Sequence, residues 1–135
     1  MQYTIHTDGG ARGNPGPSAI GAVIEQDGQI VHNIAQTIGN TTNNQAEYQA
    51  VHAALSWAQA HQGTDVDLFA DSELIIKQLR GEYKVKNKEL APWYIKCISL
   101  ANQIGKVRFH VVRREQNSAA DALVNEALDR QHLET

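Results

Sequence analysis

Residues 3–38 read YTIHTDGGARGNPGPSAIGAVIEQDGQIVHNIAQTI. Tyr3, Ile5 and Thr7 alternate with Thr4, His6 and Asp8, the period of a strand with one face turned inward. Residues 9–18 are dense in Gly and Pro and predict a tight loop. Apolar stretches at 19–25 and 29–38 flank Gln26-Asp27-Gly28, and an Asp-Gly step between two such runs is a strong hairpin signal. Three consecutive antiparallel strands follow from this stretch. Outward from it, residues 39–44 (GNTTNN) are rich in turn and cap formers. A helix then places Ala46, Ala50, Ala54, Trp57 and Ala58 on one side and stops at Gly63. Residues 66–70 predict a short strand and 72–79 a helix with Leu74, Ile75 and Leu79 as its apolar positions. A basic connection over 80–88 leads to a helix over 88–104, with Leu90, Tyr94, Cys97, Ile98 and Ala101 inward and Pro92 early, where proline is tolerated. Residues 107–112 read as a strand. Asn117 is placed to cap a last helix whose stripe is Ala120, Leu123, Val124, Ala127 and Leu128. The order is βββαβααβα, an α/β chain in which a five-stranded mixed sheet carries helices on both faces.

The 135 residues suit one domain over 1–135, and the size-based expectation is a monomer. A chain 41% hydrophobic and 20% charged is globular rather than disordered. Its single cysteine, Cys97, rules out an internal disulfide and reads as a small buried hydrophobe. No apolar run approaches the roughly 20 residues of a membrane span, and the N-terminus lacks the layout of a secretory signal. A cytoplasmic protein with no membrane partner is expected. The net charge of −3 hides an asymmetry. Residues 77–114 hold ten of the twelve Lys and Arg against two acids, a local balance of +8, while the remainder has two bases and thirteen acids, −11. One side then faces a polyanion and the other is suited to cations, or both are solvated faces.

Four acids fall where strands end or helices begin: Asp8 closing the first strand, Glu47 in the first turns of the first helix, Asp71 closing the fourth strand, Asp121 near the start of the last helix. Open sheets gather their sites at strand C-termini beside helix N-termini. Four converging carboxylates would repel one another unless cations neutralise them. Mg²⁺ binds through a few carboxylates with water and phosphate, and two such ions about 4 Å apart can stabilise both oxygens of a phosphoryl displacement. Singly, each acid is as well explained by a turn or a helix dipole.

Five segments also carry a family pattern. Residues 7–17 (TDGGARGNPGP), 41–47 (TTNNQAE), 70–72 (ADS), 85–87 (VKN) and 117–123 (NSAADAL) resemble, in order, motifs of type 1 ribonuclease H. The resemblance implies a ribonuclease H-like fold and a metal-dependent endonuclease hydrolysing the RNA strand of RNA–DNA hybrids to 3′-hydroxyl and 5′-phosphate ends. It implies that Asp8, Glu47, Asp71 and Asp121 are catalytic ligands of two Mg²⁺ ions, for which Mn²⁺ can substitute. Asp8 would bridge the ions, Glu47 and Asp71 would hold the one at the leaving 3′ oxygen, and Asp121 the one that activates water. Asn14, Asn43, Asn44 and Gln45 match positions facing the hybrid's minor groove, where amides can bond a 2′-hydroxyl. On residue type alone, Asn14 and Asn43 are equally turn and cap residues. Thr42 and Asn87 match a pocket that grips a DNA-strand phosphate.

The departures concern substrate more than chemistry. Some family members have a loop histidine before the last helix that assists water activation or product release; here residues 112–117 (VRREQN) have none, so either Arg113, Arg114 or Glu115 stands in or the role is absent. An arginine stays protonated and can steady a phosphate but not act as a base. The basic handle helix is missing, and Lys84, Lys86 and Lys88 supply part of its charge. Glu73 stands where an uncharged amide often touches substrate, and Gln26 or Asp27 where the phosphate pocket has an Arg. A groove without the handle is also compatible with double-stranded RNA, and a non-catalytic hybrid-binding module is the alternative from another class. Trp57, Trp93 and Tyr94 read as core, and the histidines form no ligand-like cluster.

Overall fold

The computed structural model describes residues 1–134. Its elements are β1 Gln2–Ala11, β2 Gly16–Gln26, β3 Gln29–Thr41, α1 Asn43–Ala60, β4 Asp65–Ala70, α2 Glu73–Leu79, α3 Ala91–Ile104, β5 Lys106–Val111, a 3-10 turn Arg114–Asn117 and α4 Ser118–Glu134. The sheet runs β3-β2-β1-β4-β5, antiparallel through β1–β3 and parallel from β1 to β5. Element order and sheet type are those expected from the sequence. Among the described residues no helix is long and apolar enough to cross a membrane.

The first hairpin is longer than its glycines suggest. β1 continues past Asp8, so Asp8 lies inside the strand, and the loop shrinks to residues 12–15. Gly9 and Gly10 pair in the ladder with Ile20 and Ala19. Gly9 is there for packing rather than turning: a Cβ on it would sit 2.3 Å from the Ala46 carbonyl, because the start of α1 lies directly on β1. Gly21 serves α4 in the same way, with the Ala120 carbonyl oxygen 2.4 Å from where a Cβ would be.

Thr42 caps α1, its hydroxyl accepting from the Gln45 N–H at 3.2 Å. Ala46, Ala50, Ala54 and Ala58, spaced by four, form one buried row that lets the helix approach the sheet closely. Val51 and Leu55 of α1, Ile5, Val66 and Leu68 of the strands, and Cys97 of α3 fill this larger core. α4 covers the other face through Val124, Ala127 and Leu128 on Ala19. Leu74 departs from its expected inward place and is exposed; Ile75 and Ile76 take the inward side of α2. α3 starts at Ala91 rather than 88, because the Asn87 side chain accepts from the Glu89 N–H at 2.7 Å and holds an open turn ahead of it. Asn117 does not cap α4. It is the buried last residue of the 3-10 turn, and its Nδ2 donates to the Thr7 carbonyl at 2.8 Å, tying the start of α4 to β1 beside Asp8.

Candidate active site

Asp8 sits on the central strand, Glu47 on the helix pressed against it, and Asp71 immediately after β4, where Ser72 turns the chain into α2. The Gly9 N–H donates to Glu47 Oε1 at 3.1 Å, which aims the glutamate at the strand. Asp8, Glu47 and Asp71 each place a carboxylate oxygen within 4.8 Å of the others. Asp121, in the first turn of α4, lines the same groove of about 510 Å³. Its charge acts on both Asp8 and Asp71.

The electrostatics are those of a site lacking a counter-charge. Burial, then the charges of Asp71 and Asp121, push Asp8 up to about 6. Burial and the neighbouring Asp8 hold Glu47 well above the usual carboxylate range. Asp71 is also raised by burial, against a weak opposing pull from Arg114, whose Nε lies 3.9 Å away. Glu47 Oε2 is buried without any hydrogen-bond partner. An orphaned carboxylate oxygen among hard oxygen donors, each made costly to ionise by the others, fits a divalent cation.

The amides sort into two groups. Asn43 accepts from the Ala11 N–H at 2.8 Å, and Asn14 accepts from the Asn43 N–H at 3.1 Å. Both oxygens therefore fasten the β1–β2 loop to α1, while the NH₂ groups stay available. Asn43 and Asn44 line the groove. Gln45 is occupied at both ends: Thr41 Oγ1 donates to its oxygen at 2.6 Å, and its Nε2 donates to Glu89 at 2.7 Å. It lies outside the groove wall. The Gln45–Glu89 bond brings the segment carrying Asn87 against the N-terminus of α1, where Thr42 sits.

Gln26 and Asp27 do not stand in for a phosphate-pocket arginine. Gln26 ends β2 and Asp27 begins the turn from which β3 sets out, while Thr42 follows the other end of β3, so the whole strand separates them from it. Glu73 turns to Lys77, 2.8 Å away, rather than to the groove. Arg113 and Arg114 line the groove and Glu115 does not. Two further groove residues escaped the sequence reading. Asn125, one turn after Asp121, donates to the Asp121 carbonyl at 3.2 Å, a contact its i,i+4 spacing could have revealed. Arg12 was read as part of a turn.

A mixed sheet whose central strand, first helix and fourth strand bring three carboxylates to one point, with a fourth arriving on the last helix, defines the ribonuclease H-like class. A family model described as "Reverse transcriptase-like" matches residues 6–127. The Ribonuclease HI of Halobacterium salinarum is 43% identical over 123 residues, 90% of this chain and 62% of that protein. Its crystal structure superposes with a TM-score of 0.93 at 40% identity, covering 96% and 99% of the two chains. The bifunctional protein Rv2228c of Mycobacterium tuberculosis is 37% identical over 131 residues, 96% of this chain but 36% of that protein. LC11-RNase H1, solved in complex with an RNA/DNA hybrid, matches with a TM-score of 0.90 at 42% identity, covering 96% and 98%. The chain belongs to the type 1 ribonuclease H family. It spans about a third of the mycobacterial relative and under two thirds of the halobacterial one.

Proposed function

We propose that this chain is a metal-dependent endonuclease that hydrolyses the RNA strand of RNA–DNA hybrids, leaving 3′-hydroxyl and 5′-phosphate ends. The observation that carries this reading is the convergence of Asp8, Glu47 and Asp71 with an unpartnered Glu47 oxygen. With Asp121 they would hold two Mg²⁺ ions, or Mn²⁺ in their place. Such a pair supplies Lewis-acid stabilisation of the attacking and leaving oxygens of a phosphoryl displacement.

The remaining residues bind and orient. The free NH₂ groups of Asn14, Asn43 and Asn44 face the strand bearing 2′-hydroxyls, the feature that separates RNA from DNA. Thr42 and Asn87 seat a phosphate of the DNA strand, with Gln45 and Glu89 holding their two segments together. Arg114, 3.9 Å from Asp71, steadies that carboxylate and the phosphate near it. The domain acts as a monomer. LC11-RNase H1, crystallised with an RNA/DNA hybrid, supports the substrate class.

Cleavage of an end-labelled hybrid with Mg²⁺, with Mn²⁺ and with EDTA, wild type beside Asp71→Asn, tests the reading. The expected result is metal-dependent cutting of the RNA strand, lost by about 10²–10³-fold in the variant, as for removal of a group acting on developing charge. Near wild-type cutting by Asp71→Asn overturns it. Hybrid binding without cutting in either metal moves the function to recognition. An RNA duplex of equal sequence in the same assay reads the substrate range.

A further inference from the structure

The groove continues beyond the carboxylates. Arg12 lies on its wall, one residue past the end of β1 and four beyond Asp8, about 13 Å along an extended strand. Its backbone is fixed. The Arg12 N–H donates to the Pro17 carbonyl at 2.8 Å, and the Ala11 N–H before it to Asn43. Gly16 packs so closely that a Cβ would sit 2.2 Å from the Arg12 carbonyl oxygen. Arg12 also borders a second hollow of about 230 Å³, with Pro17, Asn40, Leu128 and Gln131. Arg12 and Leu128 thus border both the groove and this hollow along α4.

Arg12 is the only Lys or Arg before Lys77. Its Nη2 donates to Asp129 Oδ1 of α4 at 2.6 Å, and both side chains are about half exposed, at 46% and 64%. An exposed pair of this kind contributes little to stability, so it is easily exchanged for another anion. A guanidinium held on a rigid loop suits bidentate recognition of phosphate. On the function stated above, the strand that crosses Asp8, Glu47 and Asp71 is the one cleaved, and Arg12 lines the same groove as these three acids.

We propose that Arg12 binds a phosphate of the cleaved strand a few nucleotides from the scissile bond, and that Asp129 is the placeholder this phosphate displaces. The proposal rests on the function stated above. It makes Arg12 a specificity residue for polyanion length and Asp129 a brake on substrate entry.

The test is KM and kcat for hybrid cleavage from about 50 to 200 mM salt, where phosphate contacts are strongly salt-dependent. It compares wild type, Arg12→Ala, Arg12→Lys, Asp129→Asn and the double variant Arg12→Ala/Asp129→Asn, with melting temperatures alongside. Arg12→Ala should raise KM about 5-fold at low salt with kcat unchanged, and flatten the dependence of log KM on log salt by about 0.7–0.9, the value of one phosphate contact. Arg12→Lys should keep most of that slope. Asp129→Asn should lower KM about twofold on the wild-type background, by removing a negative charge from the phosphate's seat, and do nothing when Arg12 is absent. If wild type cuts while Arg12→Ala keeps the wild-type slope, the proposal fails and the function stands. If Asp129→Asn raises KM and lowers the melting temperature as Arg12→Ala does, the pair is a brace and the proposal fails. If wild type neither binds nor cuts hybrid, the function falls first and the proposal with it.

Discussion

Strand β4 ends in one cluster of acids and carries another along its length. Asp65 and Asp67 face Arg108 of β5, which donates to Asp65 at 2.6 Å and to Asp67 at 2.7 and 2.8 Å, while His110 adds a contact to Asp67 at 2.9 Å. The guanidinium, more than the histidine, holds Asp67 down at about 2. A few residues on, Asp71 meets Asp8, Glu47 and Asp121, and its nearest cation is an exposed arginine 3.9 Å away. There the carboxylates are pushed up rather than down. The sheet satisfies one set of acids with its own cation and leaves the other in need of one. Acid count alone does not mark a metal site; the direction in which its neighbours shift it does.

Metal addition and removal give the largest contrast. Mg²⁺ at a hundredfold excess over its dissociation constant stabilises a fold that alone binds it by about 2.7 kcal/mol, roughly 9 °C for a chain of this length. The wild-type melting temperature should rise accordingly with Mg²⁺ and fall back with EDTA. Asp8→Asn should lose that response, yet melt no lower than wild type in EDTA, because it removes a charge the folded state holds at a cost. A metal-free Asp8→Asn that melts several degrees lower would mean that the four acids form a self-sufficient network, and the contrast with Asp67 would collapse.

These two settings differ in how far the sequence revealed them. Alternation in residues 3–8, the Asp-Gly hairpin and the four-residue alanine spacing of α1 announce the three antiparallel strands and the first helix, because burial period is written locally. The four acids were visible through their motifs, and the groove gathers them. Gly9 and Gly10 were misread as loop because glycine signals both turning and close approach, and only the packed helix separates the two. Gln26 and Asp27 were matched to the wrong end of a hairpin, since β3 proves long enough to carry them away from Thr42. Arg108 with Asp65 and Asp67 was invisible: the partners lie 41 and 43 residues apart, and strand pairing alone brings them together. The same holds for Gln45, whose amide is claimed by Glu89, 44 positions on.

Asp67→Asn sharpens the comparison from the other side. A carboxyl lowered to about 2 when folded, against about 3.9 when unfolded, adds stability that is fully present above pH 4 and disappears as pH falls through 2. Arg108 and His110 are the charged and titratable groups contacting it, and Asp65 shares the Arg108 guanidinium. Both partners are partly exposed, so solvent discounts the pair, and a loss of about 1 kcal/mol, near 3–4 °C, is expected at pH 7. The difference from wild type should shrink as pH falls toward 2 and vanish below it, with hybrid cleavage at pH 7 unchanged within twofold. A loss of cleavage in Asp67→Asn would show that the two acid clusters act as one.

Arg114 gives the smallest expected effect and the finest cut between the clusters. Its side chain is 88% exposed and reaches Asp71 only at 3.9 Å, whereas Arg108 bonds its acids directly. A distant, solvated guanidinium contributes little to folding, so Arg114→Ala should leave the melting temperature within about 1 °C. Its charge nevertheless opposes the upward pressure on Asp71 and faces the groove. Removing it should lower kcat for hybrid cleavage about 3- to 10-fold, below the loss for any of the four acids, with Arg114→Lys recovering most of the activity by restoring the charge. Recovery by lysine is what an electrostatic role requires; if lysine fails where arginine works, the guanidinium's fork geometry on the phosphate is the contribution that matters. Activity unchanged in Arg114→Ala would leave Asp71 with no effective cation of the protein's own, drawing the line between the two ends of β4 more sharply still.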